Sequence, residues 1–250
     1  MSNTYQLAGD LYLEPFINGV SGGLIGPIDV DACEVKPSSK KVNIPSKRRE
    51  RYGQSRTTYQ IPEPATISIK TTEIPPVMLA AAFMAESVAI NQGSGSLSAV
   101  NIALPPYPKW IEIGKTNIAS TGLTVTHESS QLAIGTDFEL NYALGLIRAG
   151  KDGAVKDGGA VVLAATYNAV TGTRMRGNIQ PEVRARILLD GKSLIDGESL
   201  TLNVPMASLS PKSGIDFMSE KPMEVTLEGD CLIIDGESAP FYVDQPKPAA

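Results

Sequence analysis

The sequence predicts a mainly β protein, a β-sandwich or barrel of two packed antiparallel sheets. It also predicts one flanking α-helix at about 75–88, a long loop at 36–63 and an extended N-terminal arm. Three observations lead to this fold class. From Gly122 onward, short segments of alternating apolar and polar residues recur roughly every 8–15 residues, which is typical of a β-sandwich. Asp-Gly and other glycine-containing steps separate these segments, as hairpin turns require. A single segment of the chain has a composition that favours helix.

The N-terminal residues 1–27 predict an extended arm, because they carry little charge and glycines interrupt their apolar residues. Apolar side chains on such an arm need a surface to cover, either on the same domain or on a partner. The expected contacts are Leu11, Leu13 and Phe16. A single β-sandwich domain is expected over 28–244, followed by a flexible tail at 245–250.

The predicted loop at 36–63 is strongly basic. Seven of the 22 lysines and arginines lie within residues 40–56 of this loop, namely Lys40, Lys41, Lys47, Arg48, Arg49, Arg51 and Arg56. Long loops in compact domains are usually functional or disordered. Three interpretations stay open: a nucleic-acid patch, a solvated flexible loop, or a loop that meets an acidic surface on another subunit. A nucleic-acid patch would need more aromatics than Tyr52 and Tyr59, and the negative charge of the remaining chain favours the third interpretation.

The helical segment follows a strand that Pro75 and Pro76 end, and prolines are well suited to a first helical turn. No residue from Val77 to Ala85 is polar. A helix that is apolar on nearly all sides is buried on both sides. We expect one side to pack on its own sheet and the other on a neighbouring subunit, through Val77, Met78, Leu79, Phe83 and Met84. The alternative is a helix that closes the open end of a barrel within one chain.

Composition argues against several function classes. The net charge of −5 disfavours a dedicated nucleic-acid binder. The single histidine, His127, and the lack of a metal-ligand cluster in the sequence predict no enzyme, no cofactor and no metal site. Cys33 and Cys231 are either free buried thiols or, less simply, a disulfide or reactive pair. A carbohydrate-binding module would need exposed aromatics on a sheet face, and the sequence offers one tryptophan, Trp110.

No stretch has the roughly 20 apolar residues of a membrane-spanning helix, and the first residues lack the pattern of a secretory signal. We therefore expect synthesis in the cytoplasm and no membrane partner.

Three stretches, taken in order, resemble the tail tube (major tail) proteins of long-tailed, siphovirus-type bacteriophages. The first is TISIKTTEIPPVMLAAAFMAES, similar to that family's strand and single flanking helix. The second is TGLTVTHESSQLAIGTDFELNYALGLIRAG, whose G-x-D-[YF] and G-x-I steps are Gly135, Asp137, Phe138, Gly145 and Ile147. The third runs from GNIQPEVRARILLDGKSL to PFYV. Together they cover about residues 28–243, and the glycine-rich arm and the linker at 91–109 depart from the family pattern.

The resemblance implies a structural virion protein that polymerises as stacked hexameric rings into the tail tube, the conduit for genome delivery. The implied partners are further copies of the chain and the tape-measure, tail tip and tail terminator proteins. Phage DNA would pass through an acidic lumen without specific binding, because carboxylates repel phosphates. The helix would lie between neighbours and the basic loop would reach the next ring. The alternative is another phage structural β-sandwich, either a tail terminator or a capsid-decorating protein.

Overall fold

The computed structural model describes residues 4–17 and 19–246. It is mainly β, with several antiparallel sheets and one short helix, which confirms the predicted fold class. The chain forms two compact units: unit 1 comprises Met1–Ser87 and Met175–Ala250, and unit 2 comprises Val88–Arg174. The sequence predicted one domain over 28–244. The structure has two units where one domain was predicted, because the number of units depends on which strands pair. The alternation of apolar and polar residues along a strand does not show its pairing partner.

Strands make up more than half of the chain. The first nine strands are β1 (Leu7–Ile17), β2 (Val20–Ser21), β3 (Ile25–Ile28), β4 (Ala32–Pro45), β5 (Ser55–Thr71), β6 (Glu86–Gln92), β7 (Gly95–Leu104), β8 (Trp110–Glu112) and β9 (Thr124–His127). The others are β10 (Ser130–Gln131), β11 (Phe138–Asn141), β12 (Leu146–Ala149), β13 (Gly159–Tyr167), β14 (Val170–Arg176), β15 (Val183–Ser193), β16 (Ser199–Pro211), β17 (Val225–Cys231) and β18 (Tyr242–Asp244). The α-helix α1 is Pro76–Ala82, between β5 and β6.

Unit 1 is built on one large antiparallel sheet with the strand order β2-β1-β15-β16-β17-β5-β4. β3 pairs with β1, and β18 pairs with β16. Alternate residues of the long strands turn to one side and form a single apolar core, to which β1, β5, β15, β16 and β17 all contribute. This is the period-two pattern of a sheet with one buried face.

The N-terminal segment is a paired strand, where the sequence predicted an extended arm. β1 pairs with β15 continuously from Leu7↔Ser193 to Phe16↔Arg184. Leu11 and Leu13 are fully buried in the core of unit 1. The segment is an integral strand of the sheet, since its alternating apolar residues find a partner in a strand more than 150 residues further along the chain.

The helix α1 is present but shorter than predicted. Its buried residues are Met78 and Ala81, and it packs against β16 and β17. The Phe83 N–H donates to Leu79 O at 3.2 Å. Met84 has a φ of 49°, which ends the helical path, and β6 begins at Glu86. Of the predicted extension to about 88, residues 83–84 form a turn and residues 86–88 belong to β6.

The stretch 36–63 is regular structure where an irregular loop was expected. β4 and β5 pair from Ala32↔Lys70 to Pro45↔Ser55, with register shifts between Lys36 and Ser38 and between Ile44 and Pro45. β17 pairs only with the Thr66–Thr71 end of β5, so residues 38–63 form a two-stranded ribbon with its own turn. We call this ribbon the hairpin arm. Its β-branched and aromatic residues, such as Val42, Ile44 and Tyr59, favour strand despite the high charge.

Unit 2 contains two smaller sheets, one with the order β10-β9-β13-β7 and the other with the order β11-β12-β8. Its core is formed by residues such as Phe138, Ile147, Val161 and Leu163, all buried. β6 and β14 pair as a two-stranded ribbon, and the chain enters and leaves unit 2 along these two strands. Within the described residues, no helix has both the length and the apolar character that a bilayer crossing requires.

Candidate assembly surfaces

The tip of the hairpin arm is a turn held by its own backbone. The Ser46 N–H donates to Gln54 O at 2.6 Å, and the Gly53 N–H donates to Ser46 O at 3.0 Å. A 3₁₀ turn covers Arg49–Arg51, and Ser46 is buried beneath it. These hydrogen bonds hold the backbone of the tip in one conformation, which fixes the positions from which its side chains extend.

The hairpin arm carries unpaired positive charge. All seven basic residues singled out from the sequence are exposed on it: Lys40, Lys41, Lys47, Arg48, Arg49, Arg51 and Arg56. In the described part of the chain, none of them forms an ion pair with a carboxylate. Four line one cavity of about 530 Å³ at the tip, namely Lys47, Arg48, Arg51 and Arg56. Like charges that line one cavity repel each other. A negatively charged partner would reduce this repulsion, so the tip is complementary to an acidic surface.

The outer face of the unit 1 sheet is polar across four strands. One row of paired residues runs Glu34–Ser68–Glu228–Ser210, and the next runs Lys36–Thr66–Asp230–Ser208. The residues between these rows, including Ile67 and Leu209, lie in the core. We call this surface the polar face.

Charges on the polar face are largely paired. Lys212 Nζ lies 2.7 Å from Glu228 Oε2, and this contact raises the pKa of Lys212. Glu182 accepts a hydrogen bond from the Ser208 hydroxyl and a second from Arg184, and both contacts lower its pKa. The polar face therefore has hydroxyls and alternating charges, without a run of like charge.

A third surface lies at the end of α1. The Phe83 and Phe217 rings stack with centroids 5.7 Å apart and planes 3° from parallel. Phe217 is 69% exposed and Met218 is 90% exposed. The Ile179 N–H donates to Met84 O at 2.9 Å, which brings exposed Ile179 to the same helix end. We call Phe83, Ile179, Phe217 and Met218 the helix-end patch; contiguous exposed apolar side chains of this kind commonly mark interaction sites.

The family membership of the chain follows from a match to a family model. The model described as "Protein of unknown function UCP028589" matches residues 4–237. The chain belongs to this family. The matched region includes unit 2, most of unit 1 without β18, and all three surfaces described above. A search of curated proteins found no match.

The five residues predicted for an inter-subunit helix divide between two environments. Met78 is fully buried in the core of unit 1, and Val77 packs against that core. Leu79, Phe83 and Met84 are half-buried. The prediction of a helix that packs on its own sheet is consistent with these contacts. Burial of the other side by a second subunit stays a prediction.

Of the two surfaces that Leu11, Leu13 and Phe16 were expected to cover, the structure shows contacts with the chain's own unit. Leu11 and Leu13 belong to the core of their own unit and are not available to a partner. Phe16 is half-buried on β1.

Sequence reasoning missed Ile179, Phe217 and Met218. The available signal was Phe217-Met218, two large apolar residues inside the polar, turn-rich stretch SGIDFMSEKP. Among the described residues, no group of three or more His, Cys, Asp or Glu side chains is placed to hold a metal ion. Cys33 and Cys231 are free thiols, and burial raises the pKa of each to about 11.

Proposed function

We propose that this chain is the major tail tube protein of a long-tailed, siphovirus-type bacteriophage. It polymerises as stacked hexameric rings and forms the conduit for genome delivery in the virion. The hairpin arm is the observation that carries this proposal. It extends a ribbon of unpaired cations beyond the sheet that anchors it, and its two strands pair only with each other. An acidic surface on another subunit relieves the repulsion among these cations.

Ring closure joins the sheets of neighbouring subunits. The unit 1 sheet ends at β4 on one side and at β2 and β3 on the other. An open edge as long as β4 invites pairing with another strand, and a closed ring removes both edges. The helix-end patch is covered in the same step, since an apolar patch gains most from contact with a neighbour.

The polar face lines the lumen in this arrangement. Its rows of Glu34, Ser68, Glu228 and Ser210 present no cation cluster to the phosphates of passing DNA. Each cation that binds a phosphate releases counterions and adds salt-dependent affinity. A face without such a cluster lets the genome slide. The tape-measure protein occupies the lumen before DNA does, and the tail tip and tail terminator proteins close the two ends of the tube.

Negative-stain electron microscopy of the purified protein at high concentration tests the proposal. Hollow tubes with six-fold symmetry are the expected result. Rings that never stack support the alternative, a tail terminator. Particles that remain monomeric alone, and that also fail to extend isolated tail tips, contradict both ring-forming functions and leave a capsid-decorating protein to be tested on capsids.

A further inference from the structure

Unit 2 carries an aromatic cluster on the outer face of its three-stranded sheet. The register aligns Trp110, Arg148 and Glu139 in one row across β8, β12 and β11. On the opposite face, the neighbouring Ile147 is fully buried in the core of unit 2. Tyr107 lies just before β8 and joins the row from the side. We call Tyr107, Trp110, Glu139 and Arg148 the aromatic row.

The guanidinium of Arg148 organises the aromatic row. Its Cζ lies 4.6 Å from the Trp110 ring centroid and 5.3 Å from that of Tyr107. Its Nε and Nη2 donate to Glu139 Oε2 at 3.1 Å and 2.6 Å. Cation–π contacts and charge-assisted hydrogen bonds are among the stronger surface interactions. Both rings are thereby oriented without being buried, with Trp110 41% exposed and Tyr107 36% exposed.

We propose that the aromatic row binds a neutral oligosaccharide. The faces of indole and phenol rings are electron-rich, and the C–H groups on one face of a pyranose ring are their natural partners. Glu139 Oε1 and Arg148 Nη1 take no part in the ion pair. They provide an acceptor and a donor beside the rings for sugar hydroxyls.

The charges around the row favour a neutral ligand. Arg148 is already neutralised by Glu139, and the next row across the same sheet face adds exposed Glu112 and Asn141. A carboxylate at this position repels polyanions such as nucleic acids, whereas amide and carboxylate oxygens accept hydrogen bonds from hydroxyl groups. A carbohydrate-binding module needs exposed aromatics on a sheet face. Tyr107 and Trp110 meet this condition, and only the folded chain shows that both rings lie beside Arg148.

Trp110 is the only tryptophan of the chain, so its fluorescence reports directly on the proposed site. The intact protein is first screened on an array of neutral, N-acetylated and anionic glycans. Bound members are then titrated while tryptophan emission is followed, with maltoheptaose, cellohexaose and chitohexaose as soluble probes. A saturable change in emission with at least one neutral or N-acetylated glycan is expected.

Variants locate the binding. Trp110→Ala is expected to weaken retention on the immobilised glycan at least about tenfold, which corresponds to about 1.4 kcal/mol. Tyr107→Ala is a second variant with the same expectation, should Trp110→Ala fail to fold by circular dichroism. Tyr52→Ala is the control, because Tyr52 is a 79% exposed aromatic on the tip of the hairpin arm.

Three outcomes overturn the proposal: no glycan is retained, the folded Trp110 or Tyr107 variant retains it as wild type does, or only anionic glycans bind and salt releases them. The proposal does not depend on tube formation, since the assay measures glycan binding to unit 2 in assembled and in unassembled protein.

Discussion

Replacing Phe217 with Asp tests whether the helix-end patch is covered when subunits assemble. Phe217 stacks on Phe83 but remains 69% exposed. It therefore adds little to the core of its own unit. A charged side chain at this position is well solvated in the isolated chain. In an assembled interface the same carboxylate loses its water without gaining a partner.

The expected effect follows from the exposed area. A phenylalanine that is fully covered buries roughly 200 Å², so an exposed fraction of 69% leaves about 140 Å² for a neighbour to cover. At about 25 cal/mol per Å², this area is worth about 3.5 kcal/mol for each subunit contact. Such a loss weakens each contact about 300-fold. Desolvation of the new carboxylate adds to the effect.

Sedimentation velocity and negative-stain microscopy measure the result against a matched control. Leu144→Asp replaces an apolar residue of unit 2 that is 59% exposed and lies outside the helix-end patch. We expect Phe217→Asp to remain unassembled at concentrations where wild type and Leu144→Asp form tubes, with thermal unfolding of the subunit unchanged. Normal tubes from Phe217→Asp would refute the reasoning. A lowered unfolding temperature of the unassembled subunit would show that the patch serves internal packing.

Three further predictions concern other parts of the molecule. Replacing four consecutive or nearly consecutive basic residues of the hairpin tip by Gln is expected to weaken ring stacking; the residues are Lys47, Arg48, Arg49 and Arg51. Tubes of this variant should dissociate at lower NaCl concentration, while circular dichroism shows that the fold is kept. Met78→Ala removes a fully buried side chain and is expected to lower the free energy of unfolding by about 2–5 kcal/mol in urea titrations. Asp137 accepts the backbone N–H groups of Ala133 and Ala154 at 2.9 Å and 3.0 Å, which lowers its pKa below the ordinary value. The stability from this carboxylate is complete above the ordinary pKa and lost as the pH falls through the lowered one. In urea titrations at decreasing pH, the free energy of unfolding should therefore fall less for Asp137→Asn than for wild type.

The parts of the fold that local patterns determine were predicted well. In β15 the sequence alternates Ala185 and Ile187 with Arg184 and Arg186, and the structure buries the two apolar residues and leaves the arginines at least partly exposed. Alternation of this kind reports the environment of each residue directly. It does not determine which strand is the pairing partner, and so it could not predict the division into two units.

The N-terminal strand shows how a local rule can mislead. Gly19, Gly22 and Gly23 lie between strands, as interruptions would, whereas Gly9 lies inside β1, opposite Gly191. A Cβ at this position would come 2.1 Å from the Asp190 carbonyl oxygen. The glycine permits close approach of β1 to β15, so it supports the strand pairing.

The hairpin arm and the helix-end patch differ in what the sequence could reveal. The basic residues of the arm were recognised from composition, because charge density is a property of the sequence alone. Their regular backbone was missed, since a ribbon that pairs only with itself depends on register. The patch joins residues from the end of α1, from the stretch before β15 and from the stretch before β17. Only the folded chain brings Phe83, Ile179 and Phe217 together.

The two proposals for this protein can fail independently, because they depend on different residues in different units. Tube assembly depends on the hairpin arm, the helix-end patch and the open sheet edges of unit 1. Glycan binding depends on the aromatic row of unit 2. We therefore expect Phe217→Asp to abolish assembly and keep glycan retention, and Trp110→Ala to keep assembly and lose retention. Loss of both properties in either folded variant would mean that the two surfaces belong to one interface, and each proposal would then have to be revised.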